Sequence, residues 1–232
     1  MFKRYREVLS LPGALAFSVA GVVARAPMAI QGISIILMVR ALYGSYSLAG
    51  FISAASVVTY AICAPVLSRL VDRFGQARVM IPSILISSGA VAGIIFSAMA
   101  LAPPWVITVL AVVAGATGGS MGALVRARWA YVTKNAAQLQ AAYAMEAAFD
   151  EFVFVLGPVI ATVVTATVHP TAGLWVSFVL MLAGTLAFLL QKKTEPPVNP
   201  KVKGEKLESV MRNPAMIVLA LTFVGTGALF GA

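Results

Sequence analysis

The sequence predicts an all-α integral membrane protein, and three observations lead to that class. Hydrophobic residues make up 60% of the 232 residues and charged residues only 11%, whereas a soluble domain carries about 25% charged residues. Seven apolar segments follow one another, each near or above the ~20 residues that cross the hydrocarbon core of a bilayer. The basic residues fall in alternate connections between these segments, the pattern expected of a multi-pass membrane protein.

The apolar segments are separated by turn residues or charges. The predicted membrane helices are 12–39, 46–68, 79–101, 105–130, 141–167, 172–191 and 214–232. Glycine, proline and asparagine mark several of the boundaries, as at Gly44-Ser45, Pro103-Pro104 and His169-Pro170. The basic start of the chain resembles the beginning of a signal peptide, but the first segment is too long for one, which predicts a retained membrane helix.

The distribution of basic residues predicts the orientation of the chain. Of the 17 Lys and Arg residues, 15 lie at the N-terminus or in the even-numbered connections, and the opposite connections hold only Arg40. Positively charged connections stay in the cytoplasm, so the N-terminus is expected on the cytoplasmic side. The expected location of the chain is the plasma membrane. The net charge of +9 is then a topology signal. The expected surroundings are lipid, and no nucleic-acid partner is predicted.

The composition divides the chain into three predicted parts. Residues 1–191 form a six-helix bundle, residues 192–213 a basic cytoplasmic linker that begins with a proline-rich stretch, and residues 214–232 a seventh membrane helix. This last segment ends at Ala232 without a polar flank or an aromatic anchor. The chain is therefore expected to be truncated, with a C-terminal half missing.

The second connection carries a recognisable motif. It reads Ser68-Arg-Leu-Val-Asp72-Arg73-Phe-Gly75-Gln-Ala-Arg78, which resembles the Gly-x-x-x-Asp-Arg-x-Gly-Arg-Arg signature between helices 2 and 3 of the major facilitator superfamily. Ser68 replaces the first glycine. The resemblance implies the N-terminal six-helix half of a transporter, in which Asp72, Arg73, Gly75 and Arg78 belong to a cytoplasmic gate. The alternative is a solvated loop whose arginines only set the topology.

A second resemblance lies in the fifth segment. The run from Glu146 to Gly157-Pro158 is similar to an antiporter motif of the same superfamily, although Ile160-Ala161 stand where a further glycine pair is expected. Most of residues 10–190 also resemble uncharacterised bacterial efflux-type permeases. These resemblances imply export, and the Gly-Pro step predicts a local bend in the helix.

Four charged residues lie inside apolar segments, where each costs about 2.5–3.5 kcal/mol at a helix centre. They are Arg25, Glu146, Asp150 and Glu151. Glu146 and Asp150 are four residues apart and share a helix face. The depth of Arg25 is close enough to that of Asp150 for the two to pair, and the depths of Arg126 and Arg128 in the fourth segment match that of Glu146. One hypothesis is that Asp150 or Glu146 exchanges a proton during transport. The alternative is a permanent ion pair that holds the helices together.

Glycines are concentrated in the fourth segment, at Gly115, Gly118, Gly119 and Gly122. Small residues let helix backbones approach closely, so the cluster predicts either tight packing or a helix that moves along a cavity.

No phosphate-binding loop, catalytic constellation or metal-ligand spacing is visible in the sequence. A non-enzymatic protein without cofactor, catalytic residues or metal is therefore expected. The resemblance and the intramembrane charges together predict a secondary transporter that exports a small organic molecule by alternating access, coupled to protons. Uptake by symport, a symmetric pair of halves, and a non-transporting fragment or structural subunit are the alternatives.

Overall fold

The computed structural model describes residues 2–198, 214–219 and 221–222. The chain divides into two compact units, Met1–Asn199 and Pro200–Ala232. The second unit is helical over 214–219 and 221–222, inside the predicted seventh segment. The rest of that segment and linker residues 199–213 lie outside the described residues, so the three-part division of the chain stays a prediction.

The described part of the first unit consists of α-helices and one short 3-10 helix. The α-helices are α1 (Phe2–Leu9), α2 (Ala14–Tyr43), α3 (Tyr46–Phe74), α4 (Gln76–Met99), α5 (Pro104–Thr117), α6 (Met121–Val132), α7 (Ala136–Thr167) and α8 (Ala172–Leu189). The 3-10 helix Lys192–Thr194 follows α8. Within the described residues six stretches are long and apolar enough to cross a membrane, with α5 and α6 counted together as Pro104–Val132. The predicted all-α membrane fold is confirmed.

Two elements differ from the sequence prediction. The basic start of the chain forms the separate helix α1, whose Val8 is buried in the core while Arg4 and Arg6 are exposed. The fourth segment is interrupted between α5 and α6, because Gly119 has a φ of 63°, a left-handed conformation that ends a helix and that glycine adopts without strain.

The short connections follow from local turn chemistry. The N–H of Gly44, at a φ of 72°, donates to Arg40 O and ends α2, as a glycine in the left-handed region commonly does. Ser45 then accepts a hydrogen bond of 3.2 Å from Leu48 N and begins α3. Gly75 alone separates α3 from α4, with a φ of 94°. The predicted turns at Gly44 and Gly75 are confirmed.

Helix α2 lies at the centre of the bundle and packs along α7 and α8, while α5 packs between α3 and α4. Glycines allow the close approach. A Cβ on Gly184 of α8 would lie 2.5 Å from Ala24 N of α2, and a Cβ on Gly115 of α5 would overlap the carbonyl oxygen of Ser56. The packing interpretation therefore holds for Gly115, whereas Gly119 serves the break in the fourth span.

Candidate functional site

Charged and polar side chains from α2, α6 and α7 meet inside the membrane-spanning part of the bundle. We call this set the intramembrane charge cluster, and it consists of Ser18, Arg25, Arg126, Trp129, Glu146 and Asp150. Its two acids lie one helical turn apart on α7, but their surroundings differ.

Glu146 is completely buried and both of its carboxylate oxygens are occupied. Ser18 Oγ and Trp129 Nε1 each donate to Oε1 at 2.7 Å, and Arg25 Nη2 donates to Oε2. The Trp129 ring packs edge-on against Phe17, with ring centroids 4.6 Å apart. Because the donors come from α2 and α6, Glu146 joins three helices and its negative charge is paired and hydrogen-bonded, as a buried charge must be.

Asp150 lies at the edge of the cluster and retains 22% of its side-chain exposure. Its Oδ2 accepts a hydrogen bond of 3.1 Å from Arg126 Nη2. Its Oδ1 lies 2.9 Å from Arg25 Nε, an ion-pair distance at which the N–H does not point at the oxygen. Asp150 is thus held by two arginines of different helices, and one of them, Arg126, is 45% exposed.

Arg25 connects the two acids and is itself 6% exposed. Nη2 of Arg25 binds Glu146 and Nε faces Asp150, but Nη1 is buried without a hydrogen-bond partner in the described part of the chain. An unpaired donor on a buried cation is costly, and among the described residues both Nη1 and Nε of Arg25 lack a hydrogen-bond acceptor.

The break in the fourth span lies next to the arginines. Helix α6 begins at Met121, and the preceding Ser120 makes no side-chain cap, so the first-turn N–H groups have no partner from that side chain. A Cβ built on Gly122 would lie 3.3 Å from Arg126 Nη1 and 3.8 Å from Arg25 Cδ. The positive end of the α6 dipole therefore lies close to the side chains of both arginines.

The pairing expected from depth is corrected by the structure: Arg126 pairs with Asp150 and not with Glu146. Helical side chains point toward the N-terminus of their own helix. The Arg126 side chain of α6 therefore points toward the break in the fourth span. This brings its guanidinium one helical turn beyond Glu146, to the level of Asp150. Arg25 takes the place beside Glu146 instead.

A second set of buried polar groups surrounds Arg128 and is called the Arg128 cluster, comprising Gln76, Arg128, Gln191, Thr194 and Glu195. Arg128 is fully buried and donates at 2.9 Å to Gln76 Oε1, Gln191 O and Thr194 Oγ1. Its guanidinium carbon lies 3.9 Å from the ring centroid of Phe188. No spacing or motif in the sequence predicts this cluster, since Arg128 resembles any basic residue at a helix end.

The residues of the loop motif are placed around the α3–α4 turn. Asp72, Arg73 and Arg78 are exposed, and no ion pair joins Asp72 to either arginine within the described residues. The backbone N–H of Ala77, in the first turn of α4, donates to Glu195 Oε1 at 2.9 Å. Glu195, which sequence reasoning missed, therefore provides the acidic cap at the start of α4.

The remaining predicted residues lie on other parts of α7. Glu151 is exposed and takes part in none of the ion pairs within the described residues. Gly157 packs against α2, where a Cβ would lie 2.5 Å from Ala29 Cβ, and Pro158 continues the helix. The structure thus brings together Arg25, Arg126, Glu146 and Asp150, and leaves Glu151 and the Gly157-Pro158 pair outside the cluster.

Ser18 and Trp129 are the cluster members that sequence reasoning did not find. A serine in a membrane helix is common, and a tryptophan near a helix end is typical of the membrane interface. No spacing in the sequence relates either residue to Glu146, and only the packing of α2 and α6 against α7 does.

A six-span bundle with charges buried between its helices defines an integral membrane protein of the transporter type. A family model of the Major Facilitator Superfamily matches residues 17–232, and the chain belongs to that superfamily. It is a multi-pass membrane protein of a family of transporters rather than enzymes. Searches of curated proteins and of solved structures each returned no match.

Proposed function

We propose that the chain is a proton-coupled secondary transporter of a small organic molecule and that Asp150 takes up and releases the proton. The observation that carries this proposal is the position of Asp150 between Arg25 of α2 and Arg126 of α6. Protonation removes the negative charge from both ion pairs at once. It therefore changes how α7 is held to two neighbouring helices.

The two acids of α7 have different roles in this proposal. Glu146 is fully buried and accepts from three donors, which favours a permanent connection between helices. Breaking such a pair leaves an uncompensated buried charge. Asp150 is partly exposed, so it lies at an open face of the bundle and is not enclosed by the core.

Coupling requires that the proton interacts differently with the two conformations of a transporter. The exposed Arg126 side chain gives Asp150 one partner that can move into solvent, while Arg25 is fixed in the core by Glu146. An ion pair with one fixed and one mobile partner can open in one conformation and close in the other.

The loop between α3 and α4 is proposed as a gate on the cytoplasmic side. Asp72, Arg73 and Arg78 are exposed and free to contact another part of the transporter, and Gly75 is a one-residue link between the two helices. The distribution of basic residues supports an N-terminus in the cytoplasm and a plasma-membrane location.

Proton-driven efflux is the first candidate for direction, supported by the Gly157-Pro158 step of α7 and its close contact with Ala29 of α2. Uptake by symport is the second candidate, and a specific observation favours it. Asp150 occupies two arginines, and its protonation would free them for a substrate that enters together with the proton.

A second six-helix half is part of the proposal. Transporters of this superfamily hold the substrate near the bilayer midplane between two such halves, and the six candidate spans of this chain provide one. The intramembrane charge cluster would face the other half. A non-transporting subunit is the alternative left by the sequence, and in it the ion pairs of Asp150 would only hold the helices together.

Infrared spectroscopy of the full-length protein in lipid tests whether Asp150 titrates. The C=O stretch of a protonated carboxyl group is followed as pH is raised. We expect the Asp150 component of this band to be lost with increasing pH in the wild type and to be missing from Asp150→Asn. It should persist in Glu146→Gln and in the matched control Glu151→Gln, which neutralises the adjacent exposed acid.

A titrating band that survives Asp150→Asn and disappears in Glu146→Gln would assign the proton to Glu146 and overturn the proposal. Direction is read separately from the luminal pH of proteoliposomes. The probes are gluconate, gluconamide and glucamine, which are matched in size and differ in charge. A fall in luminal pH as a probe enters indicates cotransport with a proton, and a rise indicates exchange.

A further inference from the structure

We infer that the intramembrane charge cluster binds the anionic group of the transported molecule, so that the substrates are small organic anions such as carboxylates or phosphonates. The inference rests on the proposed function, in which Asp150 is protonated and deprotonated. It adds the chemical class of the substrate and the place where its charged group binds.

Arg25 provides the first observation. It is 94% buried, since its side chain is 6% exposed, and yet Nη1 has no hydrogen-bond partner in the described residues. Its Nε also lacks an aligned acceptor, although Asp150 Oδ1 is 2.9 Å away. Glu146 therefore uses only one of the donor nitrogens of Arg25, and the guanidinium retains capacity for a further oxyanion.

Arg126 provides a second cation that is available from the exposed side. It is 45% exposed, and Asp150 is its partner through Nη2. Its other terminal nitrogen lies over the first turn of α6, 3.3 Å from where Gly122 would carry a Cβ. Glycine at this position leaves room for the Arg126 guanidinium beside the first turn of α6.

The beginning of α6 adds a third positive contribution. The helix has 12 residues and starts without a side-chain cap from Ser120, and helix N-termini bind anions through free N–H groups and the helix dipole. Broken membrane helices use this geometry to hold anionic substrate groups. Here the broken end lies beside the side chain of Arg25, whose Cδ would be 3.8 Å from a Cβ on Gly122, and this buried arginine carries an unpaired donor.

Asp150 acts as the internal competitor for this site. Two arginines and two acids make the cluster neutral when Asp150 is ionised. Protonation of Asp150 leaves one positive charge in excess, and one bound monoanion restores neutrality. Proton and anion therefore favour each other's binding and cross the membrane together, which selects symport among the two directions considered above.

Other charged groups around Asp150 do not replace this assignment. Glu146 and Glu151 are on the same helix as Asp150, and α8 contributes no charged residue. Arg4 of α1 lies beside Gln140 and Ala144, near the N-terminal end of α7. Within the described residues, Arg25 and Arg126 are thus the cations that face the Asp150 carboxyl group.

The experiment measures ligand binding to the full-length protein by thermal stabilisation and fluorescence. The probes are size-matched trios that differ in charge: benzoate, benzamide and benzylamine, and gluconate, gluconamide and glucamine, with phenylphosphonate as a further anion. We expect the anions to bind more tightly than their neutral and cationic counterparts, and more tightly at low than at high pH. Anion binding should take up a proton from weakly buffered solution.

Two variants give opposite expected changes. Arg126→Gln should weaken anion binding about tenfold or more, whereas Arg40→Gln, a matched arginine at the end of α2 that contacts Gly44 O, should not change it. Asp150→Asn removes the competitor and should tighten anion binding about tenfold at neutral pH, with loss of the pH dependence and of the proton uptake.

The outcomes separate this inference from the proposed function. Anions that bind no more tightly than their neutral or cationic counterparts, or equal affinity in Arg126→Gln and wild type, overturn the anion site. A titrating Asp150 in that case leaves the proton proposal intact. Anion binding that needs Arg126 but takes up no proton supports the anion site and rejects Asp150 as the coupling group.

Discussion

The intramembrane charge cluster and the Arg128 cluster each bury an arginine between helices, but the partners are of different kinds. Arg25 faces two carboxylates, one of them partly exposed. Arg128 faces an amide oxygen, a carbonyl and a hydroxyl, together with the face of an aromatic ring. A carboxylate can take up a proton, whereas these neutral oxygens cannot.

The comparison separates two buried arginines by the chemistry of their acceptors. Arg128 donates to neutral oxygens, which hold the segment after α8 to α6, while the carboxylate of the same cluster, Glu195, binds the start of α4. Inside the first cluster, Glu146 has no exposed surface and Asp150 has 22%. The coupling role is proposed for the acid that the bundle does not enclose.

The largest expected effect is the loss of stability when Glu146 is removed. Glu146→Ala leaves Arg25 as a buried, unpaired cation and frees Trp129 Nε1 and Ser18 Oγ. We expect the free energy of unfolding to fall by about 3–5 kcal/mol, measured by reversible denaturant titration in micelles.

Glu146→Gln keeps an acceptor for Trp129 and should lose less stability, which guards against a variant that does not fold. Asp150→Asn is the matched comparison one turn away and should lose about 1 kcal/mol or less. Equal losses at the two positions would contradict the division into a permanent connection and a titrating acid.

A smaller effect is expected when the Arg128 cluster is broken. Arg128→Ala leaves buried acceptors on Gln76 and Thr194 and removes the contact with Phe188, which should cost about 2–4 kcal/mol. Arg128→Lys retains the charge but not the planar fork, and should recover only part of the loss. Unfolding free energies of both variants provide the measurement.

The exposed Arg69 offers a control, since Arg69→Ala should change stability by less than about 0.5 kcal/mol. The ligand affinity and pH dependence of Arg128→Lys should equal those of the wild type. A change in pH dependence would show that the Arg128 cluster takes part in coupling, against the distinction drawn here.

The smallest effect is expected at the contact between Glu195 and the start of α4. Glu195→Gln removes a negative charge from the helix N-terminus but retains an acceptor for Ala77 N–H, so the loss should be about 0.3–1 kcal/mol. Limited trypsin cleavage after Arg73 and Arg78 should become faster, because the loop is held less firmly.

Glu7→Gln neutralises an exposed acid of α1 and should leave the cleavage rate unchanged. Identical cleavage of Glu195→Gln and wild type would mean that the residue does not hold the loop.

The sequence was sufficient for the class of protein, the existence of the first six membrane spans and the turns at Gly44 and Gly75. Apolar length and the scarcity of charge depend only on composition and order, and Gly44 and Gly75 end their helices through local backbone chemistry. The sequence also identified the charged residues that lie within apolar segments, namely Arg25, Glu146, Asp150 and Glu151, because the apolar character of a segment is read from its composition.

Only the tertiary structure decided which of these charges meet. The pairing of Arg126 with Asp150, the hydrogen bonds from Ser18 and Trp129 to Glu146, and the separation of Glu151 from the cluster depend on the rotation of α2, α6 and α7 about their axes. Packing of side chains between helices sets those rotations, and no local signal in the sequence encodes them. The same holds for Arg128 and Glu195, whose partners lie dozens of residues away along the chain.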